Sequence, residues 1–148
     1  MPTMTSHSRK FLVFSLQGSL YALDLAHVAE VCDPVKMSPI PMAPACYSGA
    51  LNFHGNIVAV IDLRSFLDLT GCGPPEKIIV LQQEVASLAF LVDTAHRIIS
   101  EDEISFSPSP DNRFAATTLL FCDGEAILLD LEKLVCEAES CMQKNLHT

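Results

Sequence analysis

Residues 11–24 read FLVFSLQGSLYALD and contain a clear pattern for two β-strands. It contains two short apolar runs rich in Phe, Val, Leu and Tyr, which are residues that favour strands. The runs are separated by Gln17-Gly18-Ser19, where glycine supplies the positive φ that a tight turn needs. We therefore expect a β-hairpin near the start of the chain.

Two later stretches follow the same pattern. Residues 77–93 contain the runs KIIVLQQ and SLAFLVD around a polar interruption at Glu84, and residues 117–130 read TTLLFCDGEAILLD with Asp123-Gly124 as the predicted turn. Helical periodicity is sustained only from Asp130 onward. The apolar residues that share one face of this helix are Leu131, Leu134, Val135 and Ala138. The sequence predicts short strands along most of the chain and one C-terminal helix.

A recurring unit relates three parts of the chain: GSLYALDLAHV, GNIVAVIDLRSF and GEAILLDLEKL. Each has a turn glycine, an apolar strand and then Asp-Leu. We expect Asp24, Asp62 and Asp130 to cap helical turns, because a carboxylate can accept hydrogen bonds from the free amides there and suits that end of the helix dipole. Strands that repeatedly bend are typical of small closed barrels. The predicted fold class is all-β.

Three proline-rich or glycine-rich segments interrupt the strands. Four prolines between Pro34 and Pro44 predict an extended crossing loop, because proline removes ladder donors. Gly71, Gly73, Pro74 and Pro75 predict a boundary between two lobes of one domain, and Pro108 with Pro110 predicts a further loop.

Composition limits the class of function. The 148 residues are 49% hydrophobic and 18% charged with a formal net charge of −9, which excludes a disordered chain and disfavours nucleic acid as a partner. The apolar runs are too short to insert into a membrane. The six cysteines show no CxxC pair and are expected to be reduced thiols, which favours the cytoplasm.

The chain shows no enzyme signature. It lacks HExxH and GxSxG, and GCGPPEK is a poor phosphate loop because its prolines lack amide hydrogens. We therefore expect no catalytic residue, no metal and no cofactor, and we interpret the chain as a binding module. A different class, an enzyme or ligand carrier with a cleft between the lobes, would need a buried cluster of His, Cys and Asp.

Residues 40–64 read IPMAPACYSGALNFHGNIVAVIDLR, which resembles the CheW family of chemotaxis coupling proteins. The family pattern is a proline-flanked loop, a glycine, an Asn-Leu-Arg-Gly turn, an apolar strand and Asp-Leu-Arg. FLVFSLQGSLYALDLAHVAEV resembles the opening hairpin of the family, LAFLVDTAHRII its middle strand, and AILLDLEKLV its closing strand and helix. The segments occur in family order over roughly residues 10–136.

The resemblance implies two packed five-stranded SH3-like β-barrel subdomains with short helical turns and a C-terminal helix. Residues 10–136 would form this single domain, with 1–9 as a flexible tail and 137–148 as the end of the helix and a tail. It also implies a non-catalytic adaptor in the cytoplasm that binds the helical tip of a chemoreceptor and the regulatory domain of a CheA-type histidine kinase. A CheW-like scaffold of a non-motility pathway controlling pili, development or second messengers is the alternative.

Family receptor-binding positions carry over to seven residues, while the kinase-binding face stays unassigned. Three of them are apolar, and core packing explains each equally well. His54 stands where the family has an arginine that pairs with the acid at position 30, and imidazole lacks the permanent charge and the bidentate fork of arginine. The seven residues are Val28, Glu30, Gly49, Asn52, His54, Ala95 and Ile98.

Overall fold

The computed structural model describes residues 9–69, 74–108 and 114–146, with side chains up to Cys141. Within these ranges the chain forms eleven strands, two α-helices and two 3-10 turns, Leu25–His27 and Glu101–Glu103. The strands are β1 Lys10–Leu16, β2 Ser19–Asp24, β3 Val28–Cys32, β4 Tyr47–Phe53, β5 Asn56–Asp62, β6 Lys77–Leu81, β7 Leu88–Val92, β8 Thr94–Ser100, β9 Ser105–Ser107, β10 Ala115–Phe121 and β11 Gly124–Leu129. The helices are α1 Leu63–Phe66 and α2 Leu131–Leu146.

The three predicted hairpins are present as β1–β2, β6–β7 and β10–β11. Gln17 and Gly18 form the first turn with φ of 57° and 80°, the combination that a two-residue hairpin turn requires. The third turn is one residue earlier than predicted. Phe121 pairs with Gly124, so the turn consists of Cys122 and Asp123, and the glycine opens β11.

Hydrogen bonding divides the strands into two sheets. Sheet 1 has the order β8-β1-β2-β11-β10-β9, and sheet 2 has the order β3-β6-β7-β5-β4. The all-β prediction with one C-terminal helix is confirmed. Sheet 1 has six strands instead of the expected five, because the three-residue strand β9 adds to its edge. Closure of each sheet into a barrel stays a prediction.

The predicted lobe boundary at residues 71–75 is wrong. Of this break, residues 70–73 lie outside the described residues, but β5 before it and β7 after it pair in parallel within sheet 2. Parallel strands need a long crossover connection, and Pro74 and Pro75 lie in the connection between β5 and β7. The chain changes sheet at Leu25–His27 and returns at Asp93, between β7 and β8.

The three capping aspartates behave as predicted. Asp24 accepts a hydrogen bond from the Ala26 amide at 3.0 Å, and Asp62 accepts one from the Arg64 amide at 3.1 Å. Asp130 accepts one from the Lys133 amide at 3.2 Å. Each carboxylate therefore ends a strand and starts a helical turn, which redirects the chain at the rim of its sheet.

The core has three parts, and alternation along the strands assigns side chains to them. In β1, Phe11 and Val13 pack in a cluster within sheet 1, whereas Leu12 and Phe14 pack in the main cluster. Sheet 2 divides its residues in the same way between its own cluster and the main one. The main cluster also takes Leu134 from α2. It therefore lies between the sheets and joins the two lobes.

The connection between β3 and β4 contains one isolated bridge between Ser38 and Ala50. Its prolines predict an extended segment, but it is not extended throughout, because the chain turns at residues 41–42 and 45–46, where Met42 has a φ of 61°. Helices in the described ranges are not of a length and composition that would carry the chain across a bilayer. Four cysteines, 32, 46, 122 and 136, are free thiols, and the Cys141 thiol donates a hydrogen bond to Oε2 of Glu137 at 3.3 Å. Cys72, residues 1–8 of the predicted tail and most of the predicted loop at Pro108 and Pro110 lie outside the described residues.

Candidate functional site

The predicted receptor-binding residues lie on both sheets. Val28 and Glu30 are on β3, Gly49 and Asn52 are on β4, and His54 is in the turn after β4. Ala95 and Ile98 are on β8, the edge strand of sheet 1. The structure therefore divides the set into a sheet 2 group and a sheet 1 pair.

Glu30 and His54 come together. The Nε2 atom of His54 lies 3.8 Å from Oε1 of Glu30, with the two side chains 73% and 47% exposed. The pair joins β3 and the end of β4, which are at opposite ends of the strand order of sheet 2. The sheet is thus curved enough for its two edges to meet at an exposed acid–imidazole pair.

The tight turn after β4 fixes the position of His54. Phe53 pairs with Asn56, so His54 and Gly55 form a two-residue turn, with φ of 50° and 87°. The Asn52 side-chain oxygen accepts a hydrogen bond from the Gly55 amide at 2.9 Å, and the Phe53 and His54 rings lie 4.3 Å apart. Asn52 therefore supports the turn that presents the imidazole.

Gly49 has a structural role next to this turn. Its φ is 149°, and a Cβ at this position would lie 2.8 Å from the Ser38 carbonyl oxygen and 3.0 Å from Cβ of Met37. This close approach lets Ser38 and Ala50 exchange two backbone hydrogen bonds, of 2.8 and 2.7 Å. Glycine is thus required because the segment after β3 packs directly on β4.

The three apolar candidates differ in exposure. Val28 is 9% exposed and belongs to the main core, so its side chain has little surface to offer a partner. The core-packing explanation left open by the sequence therefore holds for Val28. Ala95 is half-buried, whereas Ile98 is 53% exposed. Ile98 is the candidate best placed for apolar contact.

Sequence reasoning missed Ile57. This side chain is 67% exposed and lies on β5 directly opposite Asn52, close to the turn that carries His54. Alternation along β5 gives no signal for it, because Ile61 has the same phase as Ile57 and is fully buried in the main cluster, while Val58 and Val60 pack in the cluster of sheet 2. A single exposed apolar side chain is common on protein surfaces, so Ile57 is of interest only because it lies beside the turn that carries His54.

Arg64, in α1, links the two sheets. Its side chain is 10% exposed, with Nη1 3.3 Å from Oδ1 of Asp93 and Nε 3.5 Å from Oδ1 of Asp62. Asp93 Oδ2 in turn accepts a hydrogen bond from the Gln17 amide at 2.8 Å, in the β1–β2 turn. The Asp-Leu-Arg motif therefore has a structural function at the junction of the lobes.

The described residues do not bring together a reactive centre. Within residues 9–69, 74–108 and 114–146, no group of three His, Cys, Asp or Glu side chains could hold a metal ion. Burial raises the pKa of the Cys32 and Cys46 thiols, so neither is an activated nucleophile. Burial also raises the pKa of Tyr47 to about 12.

Comparison with known proteins identifies the family. The sequence profile of the CheW-like domain matches residues 10–139. The chain belongs to the CheW-like domain family. This CheW-like chain is 30% identical over 148 residues to the chemotaxis protein CheW of Klebsiella aerogenes, covering 93% of the chain and 88% of the relative. It is 23% identical over 133 residues to CheW of Rhizobium meliloti, covering 85% and 86%.

A solved structure supports the same assignment. The crystal structure of the scaffolding protein TtCheW from Thermoanaerobacter tengcongensis matches the CheW-like chain with a TM-score of 0.71 and 29% identity. The match covers 82% of this chain and 88% of that one. The two-sheet fold described above is thus the CheW fold. As a member of this family, the chain is a non-catalytic coupling adaptor of the chemotaxis type and not an enzyme.

Proposed function

We propose that residues 10–136 act as a single coupling domain that binds the cytoplasmic helical tip of a chemoreceptor and the regulatory domain of a CheA-type histidine kinase. The observation that carries the receptor part is the exposed Glu30–His54 pair, held at 3.8 Å by the curvature of sheet 2. The complex would lie in the cytoplasm beside the membrane that carries the receptors.

The receptor surface combines polar and apolar groups. Glu30, His54 and Asn52 offer hydrogen-bonding groups, and Ile57 offers an exposed aliphatic side chain next to them. A helical tip presents both apolar side chains and polar groups on its outer face, which this mixture complements. Ile98 on β8 would add a second apolar contact from sheet 1.

Apolar contacts contribute more to this surface than the ion pair. An exposed charged pair contributes about 1 kcal/mol or less, whereas a desolvated aliphatic anchor can contribute about 2 kcal/mol or more. Replacement of the family arginine by His54 therefore costs the receptor complex only a small part of its stability. The kinase domain would bind a different surface, which includes neither the Glu30–His54 pair nor the apolar contacts at Ile57 and Ile98.

The test is a pull-down of the tagged chain from its source cell, analysed by mass spectrometry. Recovery of a methyl-accepting receptor together with a CheA-type kinase supports the proposal. Recovery of a kinase and receptors that control pili or second messengers would place the adaptor in a non-motility pathway, for which the departure at His54 is the specific argument. Recovery of neither a receptor nor a kinase contradicts the proposal.

A further inference from the structure

A groove beside the C-terminal helix α2 is separate from the proposed receptor surface. Its volume is about 440 Å³, and it lies between α2, the turn that joins β6 to β7, and the 3-10 turn Leu25–His27. None of the seven predicted receptor residues lines it. The lining residues are His27, Val85, Leu131, Glu132, Val135, Cys136 and Glu139.

The floor of the groove is apolar. Val85, Leu131 and Val135 are partly buried and pack on the main core, but each keeps surface towards the groove. On α2 the lining residues form a stripe from Leu131 to Glu139, which is about 12 Å of helix at 1.5 Å per residue. A second helix lying along α2 would cover a stripe of this shape and length.

The rim of the groove is negatively charged. Glu132 and Glu139 are exposed, and neither forms an ion pair within the part of the chain that the structure describes. The lining residues include no lysine or arginine. The ring nitrogen Nδ1 of His27 is buried and has no hydrogen-bond partner among the described residues.

We propose that this groove, called the α2 groove, binds an amphipathic helix whose aliphatic face is flanked by lysine or arginine residues. The apolar stripe of α2 selects the helix, and Glu132 and Glu139 select its basic flanks. A second copy of this chain is a poor occupant. It would bring the same two carboxylates to the contact, and like charges at an interface are unfavourable.

The probe is a fluorescently labelled leucine–lysine peptide of about 18 residues with leucines at helical spacing. Its comparator carries glutamate in place of lysine. Fluorescence anisotropy against the full chain should show binding of the lysine peptide and not of the glutamate peptide. Charge reversal in the variant Glu132→Lys/Glu139→Lys should weaken binding by about tenfold, because two rim pairs become repulsive.

The matched control is Glu76→Lys/Glu125→Lys, which changes two exposed glutamates elsewhere by the same charge. It should bind the lysine peptide as the unmodified chain does, and equal weakening in both double variants would overturn the proposal. Methyl NMR signals of Val85, Leu131 and Val135 should shift on peptide addition. The proposal would also be overturned if the peptide shifted only the methyl signals of Ile57 and Ile98. A dimer of the unmodified chain that Glu132→Lys/Glu139→Lys dissociates would overturn it as well.

Discussion

The His54 imidazole and the Glu30 carboxylate, 3.8 Å apart, connect the two ends of the strand order of sheet 2. The two residues are not on adjacent strands, because β6, β7 and β5 lie between β3 and β4 in the hydrogen-bonded order. The contact depends on the curvature of the sheet. It places a polar pair on a surface that also carries Ile57.

Replacing His54 by arginine should strengthen this pair. Arginine has a permanent charge and two parallel donors for the Glu30 carboxylate, whereas imidazole offers one. We expect His54→Arg to raise affinity for a receptor-tip fragment by no more than about fivefold, since exposed pairs contribute about 1 kcal/mol or less. Isothermal titration calorimetry measures the change. The double variant Glu30→Gln/His54→Arg should lose this gain in receptor affinity. If the double variant keeps the gain, the gain does not depend on pairing with Glu30.

Removing the charge of Arg64 should destabilise the fold. Arg64→Met leaves Asp62 and Asp93 without their partly buried partner at the junction of the sheets. We expect a loss of about 2 kcal/mol in the free energy of unfolding, less than for a fully buried pair because both carboxylates keep some exposure. The matched control is Lys77→Met, which breaks the exposed Lys77–Asp33 pair and should cost less than Arg64→Met because water and salt screen an exposed pair. Urea unfolding curves that show equal losses would argue against a structural role for Arg64.

A side chain at Gly49 should disturb the packing of the segment after β3. In Gly49→Ala the new Cβ would meet the Ser38 carbonyl oxygen at 2.8 Å, and the backbone would have to move. The control Gly18→Ala also places alanine at a positive φ but meets no atom within 4 Å. We expect Gly49→Ala to lower the melting temperature more than Gly18→Ala. The reverse order would mean that φ, and not the close approach, determines the cost.

Alkaline pH should reveal the burial of Tyr47. Its pKa is raised to about 12, and its hydroxyl donates a hydrogen bond to the Ala138 carbonyl at 2.7 Å. In the unfolded chain the phenol ionises near its ordinary pKa of 10.0, so its contribution is complete below pH 10 and is lost as the pH rises towards 12. Absorbance titration of Tyr21→Phe isolates Tyr47 and should give a midpoint near 12. A midpoint near 10 would contradict the burial of this side chain.

Local signals predicted the local structure. The hairpin turns, the capping aspartates and α2 depend on residues close together in the chain, and apart from the one-residue shift at Gly124 they occur where expected. Sheet membership depends on the parallel pairs β2–β11 and β5–β7, which join distant segments. For that reason the sequence at residues 71–75 predicted a boundary between lobes, although β5 before it and β6 after it belong to the same sheet.

The candidate site was predictable only in part. Val28 and Ile98 are both apolar residues in strands, and periodicity cannot rank them because burial does not alternate along β3 or β8, where the register of pairing is irregular. The structure separates them, with Val28 in the core and Ile98 exposed. The Glu30–His54 contact came from the resemblance, because no spacing rule brings opposite sheet edges together.

The most direct measurement is a calorimetric titration of wild type and Ile98→Asp against a receptor-tip fragment and, separately, the kinase regulatory domain. Ile98→Asp places a carboxylate on the proposed apolar contact without entering the core. We expect receptor affinity to fall by about tenfold or more, with kinase affinity and melting temperature unchanged. Equal receptor affinity for wild type and Ile98→Asp, or no binding of wild type to either fragment, would contradict the proposed coupling function.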